Sequence, residues 1–281
     1  MIYLILTIVC GALISIALRF AEGKVSSKTG MLSMNYLTCF LGVGAVMGYG
    51  NILPGITSGG DGLVTLGLGA LTGFLYMAAL MLLQYNVQQS GVILASVFQK
   101  LGLMVTVVMS IVLFGEEPGS LQFAGFVTAA AAIILMNYEK GHLKGSFKPM
   151  LLILLLVDGC GMGMLKVYNE LGNPALSDHF LFFNFFFAFL FCIGITLWKK
   201  ERIGLRELLH GMSVGLPNFM ASRFLLKALE TVPAIIAYPT RGVAIIVVVS
   251  LAGVVLFKER LNRRQWAAMV LVLAAIVLLN I

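Results

Sequence analysis

The chain has 281 residues, of which 60% are apolar and only 11% charged, with a mean hydropathy of +1.00. A soluble domain is nearer half apolar and a quarter charged, so the composition excludes a soluble globular fold and points to a polytopic membrane protein. The excess of 19 Lys and Arg over 12 Asp and Glu would suggest nucleic acid in a soluble chain. Here the cations report orientation in a bilayer instead, and no nucleic-acid partner is expected.

In chain order, apolar runs between polar or Gly/Pro breaks predict helices near 2–21, 30–49, 63–84, 91–114, 121–138, 149–168, 179–198, 208–229, 234–257 and 264–280. At about 20 residues per crossing, this length leaves room for roughly ten spans and no separate domain. Met1-Ile2-Tyr3 runs straight into the first of them, without a basic n-region or an Ala-x-Ala site, so it reads as a retained span. Cys10, Cys39, Cys160 and Cys192 lie in different spans at no metal or disulfide spacing and read as packing residues. His142, His179 and His210 sit at segment ends and supply no ligand set, so neither metal nor cofactor is expected.

The sequence also repeats. At a constant offset of 143, Phe114-Gly115-Glu116 overlays Phe257-Lys258-Glu259, Gln122-Phe123-Ala124 overlays Gln265-Trp266-Ala267, and the run Ala131 to Asn137 overlays Ala274 to Asn280. The polar anchors Glu116/Glu259, Gln122/Gln265 and Asn137/Asn280 keep one register. Residues 1–140 and 141–281 therefore read as two copies of five spans, and five is odd, so the second copy enters the membrane inverted. The expected fold is all-α, ten transmembrane helices as two inverted five-helix repeats. Charge agrees, since the turn at Gly115–Gly119 has no cation and its counterpart has Lys258, Arg260, Arg263 and Arg264. Cations also follow span one (Lys24, Lys28), span five (Lys140, Lys144, Lys148) and span seven (Lys199, Lys200, Arg202, Arg206). The positive-inside rule makes these loops cytoplasmic and puts both termini outside, in a cell (inner) membrane.

Ten short-looped spans, the duplication and the paired turns Phe114-Gly115-Glu116 and Phe257-Lys258-Glu259 resemble the drug/metabolite transporter superfamily, EamA-type. The resemblance implies two five-helix halves about a central cavity lined by 63–84, 91–114, 208–229 and 234–257, alternating access, and substrates from amino acids and sugar phosphates to cationic drugs. Relatives commonly carry a basic loop between spans two and three; Gly50–Gly62 here has no Lys or Arg.

Ionisable groups inside spans are costly and read as functional candidates. Lys100 and Arg241 fall near mid-depth of spans four and nine, where two cations suit an anionic group, although strict repeat register places Phe98 opposite Arg241. Triose-phosphate translocators resemble this placement. Pro239 removes a backbone hydrogen bond beside Arg241 and tends to kink or open that helix. Asp158 is the one acid deep in a span and is a proton-coupling carboxylate, an ion-pair partner of Arg241 or Arg223, or a direct substrate contact. Arg223 is the deeper cation of span eight, and Lys227 pairs with Glu230 at i,i+3. Gln99, Tyr76, Asn218 and Tyr238, with Asn35, Tyr36, Gln84 and Asn184, are polar groups able either to orient a ligand or to bond neighbouring helices. Gly69/Gly73 and Gly159/Gly163 suit close helix packing, and the aromatic run Phe180–Phe191 reads as lipid-facing bulk.

The function expected is a secondary transporter of a small polar metabolite, more anionic or zwitterionic than cationic, in a lipid bilayer, with protons a candidate coupling ion and a monomer or homodimer as the assembly. A multidrug exporter and a non-transporting scaffold or sensor are the alternatives. No nucleophile–base pair or metal set marks an enzyme, and no nucleotide-binding loop marks an ATP-driven pump.

Overall fold

The computed structural model describes residues 1–52, 59–90, 92–137, 149–256 and 263–280. Among them are ten α-helices and no strand: α1 (Ile2–Ala21), α2 (Lys28–Met47), α3 (Gly60–Ser90), α4 (Val92–Phe114), α5 (Ser120–Asn137), α6 (Pro149–Leu171), α7 (Ser177–Trp198), α8 (Leu205–Leu229), α9 (Ala234–Leu256) and α10 (Arg263–Asn280). Six helices are long and apolar enough to cross a membrane among the described residues, α1, α2, α3, α6, α7 and α9. The cations Lys140, Lys144, Lys148, Lys258 and Arg260 and the second acidic turn at Glu259 lie outside those residues.

The elements follow the apolar runs closely, and α3 is the main departure. It continues through Tyr85–Ser90 because that stretch has no Gly or Pro, and because buried Asn86 donates through Nδ2 to the Leu82 and Met150 carbonyls at 2.8 and 3.0 Å. Helices α8 and α9 also run on through Pro217 and Pro239, so the expected opening at Pro239 is not an interruption of the helix.

The described chain forms two compact units, Met1–Met77 with Met164–Glu230, and Ala78–Gly163 with Thr231–Ile281. Helices α3 and α6 begin in one and end in the other. In the first unit α8 packs on α1 and α2, and α2 on α7. The approach is close because glycines stand where side chains would collide. A Cβ on Gly215 would lie 2.6 Å from the Asn35 carbonyl oxygen, and one on Gly211 2.7 Å from that of Met31. Gly69 and Gly73 do the same for α3 on α7, at 3.1 Å from the Asn184 nitrogen and 2.7 Å from its oxygen, as the small-residue spacing anticipates. The aromatic run of α7 corrects expectation. Phe180, Phe182, Phe183 and Phe185 are buried, and Phe180 stacks on Tyr168 with centroids 4.1 Å apart, because α7 meets both α2 and α3 and fills the unit's interior.

Two sets of turns mark the ends of this unit. At one end the α1–α2 turn meets the α7–α8 turn: Glu207 Oε1 accepts from the backbone of Ser26 at 2.7 Å and Ser27 at 3.3 Å, its Oε2 from Gly204 at 2.9 Å, and Glu201 accepts from the Ser27 and Thr29 hydroxyls. At the other, His179 Nε2 bonds the Asn51 carbonyl at 2.9 Å and Asn173 donates to Asp61 at 2.8 Å. Helices α2 and α7 therefore run in opposite directions. Lys227 does not pair with Glu230 but stands over the Tyr3 ring at 5.5 Å.

The second unit is built round Leu103, Ala129, Ala132, Ile133, Val243, Ile246, Val272 and Ala275, from α4, α5, α9 and α10. The turn Phe114-Gly115-Glu116 has a readable job here. Gly115 at φ +65 ends α4 in a conformation that L side chains avoid. The Glu116 carboxylate then accepts the backbone N–H groups of Ala234 and Ile235 at 2.9 Å each, capping α9.

Two tests follow from this packing. Gly215→Ala should lower the thermal unfolding midpoint in detergent, by overpacking worth about 1–3 kcal/mol, whereas Gly67→Ala, with nothing within 4 Å of its added Cβ, should leave the midpoint unchanged or raise it. Glu207 lies ahead of the apolar run 208–229. Desolvation pushes its carboxyl up, but the backbone N–H groups of Ser26, Glu207, Gly204 and Ser27 outweigh that and hold it below the usual carboxylate range. A depressed folded value makes its contribution full above the unfolded pKa of about 4.3 and lost as pH falls through the lower folded value. The midpoint difference between wild type and Glu207→Gln should be largest near neutrality and shrink below about pH 4.

Candidate functional site

Three helices of the second unit carry most of the candidate residues. One face of α4 presents Gln99, Gly102 and Thr106, at helical spacing, to α6. Gln99 Nε2 donates to Asp158 Oδ1 at 3.3 Å, and the Thr106 hydroxyl donates to the Gly159 carbonyl at 2.8 Å. Gly102 is what lets α6 come so near: a Cβ there would stand 2.9 Å from Asp158 Oδ2 and 3.0 Å from the Gly159 nitrogen. Gly163 continues the seam against Met109.

The neighbouring face of α4 meets α9 where Leu103 lies against Gly242, 2.9 Å from a Cβ built there. Lys100 is one turn from Leu103 and Arg241 adjoins Gly242, so the two cations sit on paired helices about one turn, roughly 5–6 Å, apart along the axes. Lys100 is exposed on this unit and Arg241 half-buried. Tyr238, 2% exposed, donates its hydroxyl to the Met162 carbonyl at 3.0 Å and ties α9 to α6. The structure thus gathers Lys100, Gln99, Asp158, Tyr238 and Arg241 onto α4, α6 and α9.

Tyr76, Asn218 and Arg223 belong to the first unit. Asn218 donates to Asn35 Oδ1 at 3.1 Å. Arg223 makes two bonds of 2.9 Å to Asp178, so its acid is Asp178, and Asp158 is bonded instead by Gln99. Tyr76 is half-buried on α3. The crossings that carry Tyr76 and Asn218 are built alike: Gly69, Gly73 and Tyr76 on α3 have the spacing of Gly211, Gly215 and Asn218 on α8, and Asn184 on α7 takes the place that Asn35 takes on α2. The difference is in the amides. Asn35 is bonded by Asn218, while Asn184 is fully buried and neither its Nδ2 nor its Oδ1 has a hydrogen-bond partner among the described residues.

Sequence reasoning left Asp178 and Glu116 without partners because each bonds a residue more than 40 positions away. The matching Gly-xxx-Gly-xx-polar spacing of α3 and α8 was the available signal for the paired crossings.

The chain matches the EamA-like transporter family over residues 1–138 and again over 151–281, and it belongs to that family of membrane transporters. An uncharacterized protein of Haemophilus influenzae is 20% identical over 286 residues, covering 97% of this chain and 95% of that one. A solved crystal structure 14% identical superposes with a TM-score of 0.76, over 99% of this chain and 96% of that chain, so the fold is an established one.

The Arg223–Asp178 pair separates two roles. If Arg223 serves the fold through Asp178, then Arg223→Gln and Asp178→Asn should each lower the midpoint and show a coupling of about 1–2 kcal/mol in a double-mutant cycle, with transport falling equally in both. Loss of transport in Arg223→Gln alone would make it a substrate contact.

Proposed function

We propose that the protein is a secondary transporter that moves a small polar metabolite with a negatively charged group, anionic or zwitterionic, by alternating access. The observation that carries this reading is the pairing of α4 with α9 at Leu103 and Gly242, which brings Lys100 and Arg241 to one pair of helices about a turn apart. Two cations in a low-dielectric medium favour an anion and oppose a lipophilic cation. The α9 N-terminus is taken by Glu116, so in this reading the substrate's charge is met by side-chain cations and not by that helix end. Gln99 and Tyr238 orient this group of helices. Asp158, beside Gln99 and one residue from Lys100 in register, balances their charge or takes the coupling proton.

The architecture belonging to this reading is ten spans in two inverted five-helix repeats, 1–140 and 141–281. Opposite running of α2 and α7 supports it, as do the matched glycine crossings of α8 on α2 and α3 on α7. The unequal state of Asn35 and Asn184 fits alternating access, in which two like halves hold different conformations at one moment. For orientation, Lys24, Lys28, Lys199, Lys200, Arg202 and Arg206 all lie at the end of the first unit where Glu207 joins the turns, and the loops at its other end contain no Lys or Arg among the described residues. The end that carries these cations is cytoplasmic, both termini face outward, and the membrane is the inner cell membrane.

The test is flux into proteoliposomes. Lys100→Gln and Arg241→Gln should each cut uptake of the anionic or zwitterionic substrate at least tenfold while expression and thermal midpoint stay at wild-type levels, a loss of about 1.4 kcal/mol or more in substrate stabilisation. Unchanged flux in the double variant removes these residues from the site, and efflux of cationic compounds that survives both substitutions replaces the reading with drug export.

A further inference from the structure

We infer that Asn184 and Tyr76 form, in the opposite conformation of the transporter, the hydrogen bond that Asn218 and Asn35 form in this one. The inference rests on the alternating-access reading and adds to it the residues that hold the two states. Both crossings concerned lie within the first unit and share one design. Gly211 and Gly215 carry α8 over Asn35 of α2, and Gly69 and Gly73 carry α3 over Asn184 of α7. A Cβ on the first glycine of each pair would stand 3.0 Å (Gly211) or 3.1 Å (Gly69) from the asparagine backbone nitrogen. One on the second would stand 2.6 Å (Gly215) or 2.7 Å (Gly73) from its carbonyl oxygen. The residues after the two asparagines, Tyr36 and Phe185, stack with centroids 6.4 Å apart. The backbones are thus alike at the two crossings, and the difference lies in the side chains.

On α2 the amide is bonded across the crossing: Asn218 Nδ2 donates to Asn35 Oδ1 at 3.1 Å, and the Cys39 thiol, one turn along, donates to the Gly215 carbonyl at 3.3 Å. On α7 Ala188 stands where Cys39 stands on α2. Asn184 is fully buried, and neither Nδ2 nor Oδ1 has a hydrogen-bond partner among the described residues. A buried amide in that state opposes folding, and an apolar side chain of similar size would not. An asparagine that gains nothing in this conformation is accounted for by a bond made in another.

Register assigns Tyr76 as the partner. It follows Gly73 by three residues on α3, as Asn218 follows Gly215 on α8. It is half-buried, and its hydroxyl both donates and accepts, so it suits either atom of the Asn184 amide. In this conformation that hydroxyl is not on Asn184. Gly69 and Gly73 present no side chain of their own to α7, so a shift of α3 along it needs no rotamer change at those two points. In two like crossings of opposite phase, the bond at Asn35 opens as the bond at Asn184 closes.

The test is a set of thermal midpoints of the whole protein in nanodiscs, read without substrate, so that failure of this exchange and failure of the transport reading show separately. Asn218→Ala breaks the bond of the present conformation and shifts the population toward the other. Tyr76→Phe, which removes only a hydroxyl, should then lower the midpoint by about 2–4 °C more in the Asn218→Ala background than in wild type. That excess should vanish when Asn184→Leu is added. An interaction that Tyr76 makes only in the present conformation would have the opposite sign, because its effect would shrink in the Asn218→Ala background. Asn218→Ser, a smaller disturbance of the same bond, gives the same comparison should the alanine variant fail to fold. Equal losses in the two backgrounds, as for an Asn184 met by water alone, or an excess that survives Asn184→Leu, overturn the proposal.

Discussion

A helix that faces hydrocarbon has no water to satisfy a polar group, so every carboxylate, amide and turn N–H needs its partner in the chain. Much of this structure is a record of that constraint being met. Glu116 takes the first N–H groups of α9, Glu207 and Glu201 take the α1–α2 turn, Asp178 takes Arg223, and Gln99 takes Asp158. Each bond joins segments that are remote in sequence, and each fixes the end or the crossing of a helix. Glycines complete the arrangement, because carbonyls and amides meet across α2–α8, α3–α7 and α4–α6 only where a Cβ is missing.

Once those partners are assigned, what distinguishes the candidate residues is the work already given to them. Tyr238 and Arg223 have defined structural bonds, which tie α9 to α6 and α8 to α7. Lys100 and Arg241 are carried by the α4–α9 pair, whose α4 is ended by Gly115 and whose α9 is capped by Glu116. Asn184 differs from its counterpart Asn35 in having no bond to either amide atom among the described residues. The transport reading draws on the inequality of Asn35 and Asn184, since a purely structural network would leave like positions in like states.

Most of the architecture was legible in the sequence for a simple reason: an apolar run of the required length has few alternatives to a helix, and Gly and Pro punctuate it. The helices at 2–21, 179–198 and 234–257 fall within two residues of the observed α1, α7 and α9. Where reading failed, the cause was tertiary. Tyr85–Ser90 looked like a break by composition, yet Asn86 finds the Met150 carbonyl on α6 and the helix continues. The phenylalanines of α7 looked lipid-facing because hydropathy does not say which helix is central to a unit. The acid for Arg223 was sought deep in a span, at Asp158, when a residue at the start of α7 reached it. Periodicity identifies the face of a helix but not the neighbour that covers it.

The claim that an anionic group is held by cations of α4 and α9 is tested most directly by ligand-induced thermal stabilisation of the purified protein. Anionic, zwitterionic and cationic metabolites would be compared at pH 5.5 and 7.5, since a ligand that binds the folded state raises the midpoint by mass action. A rise with anionic or zwitterionic compounds is the result expected from the two cations. A rise confined to cationic amphiphiles would contradict it and leave Lys100 and Arg241 as parts of the scaffold.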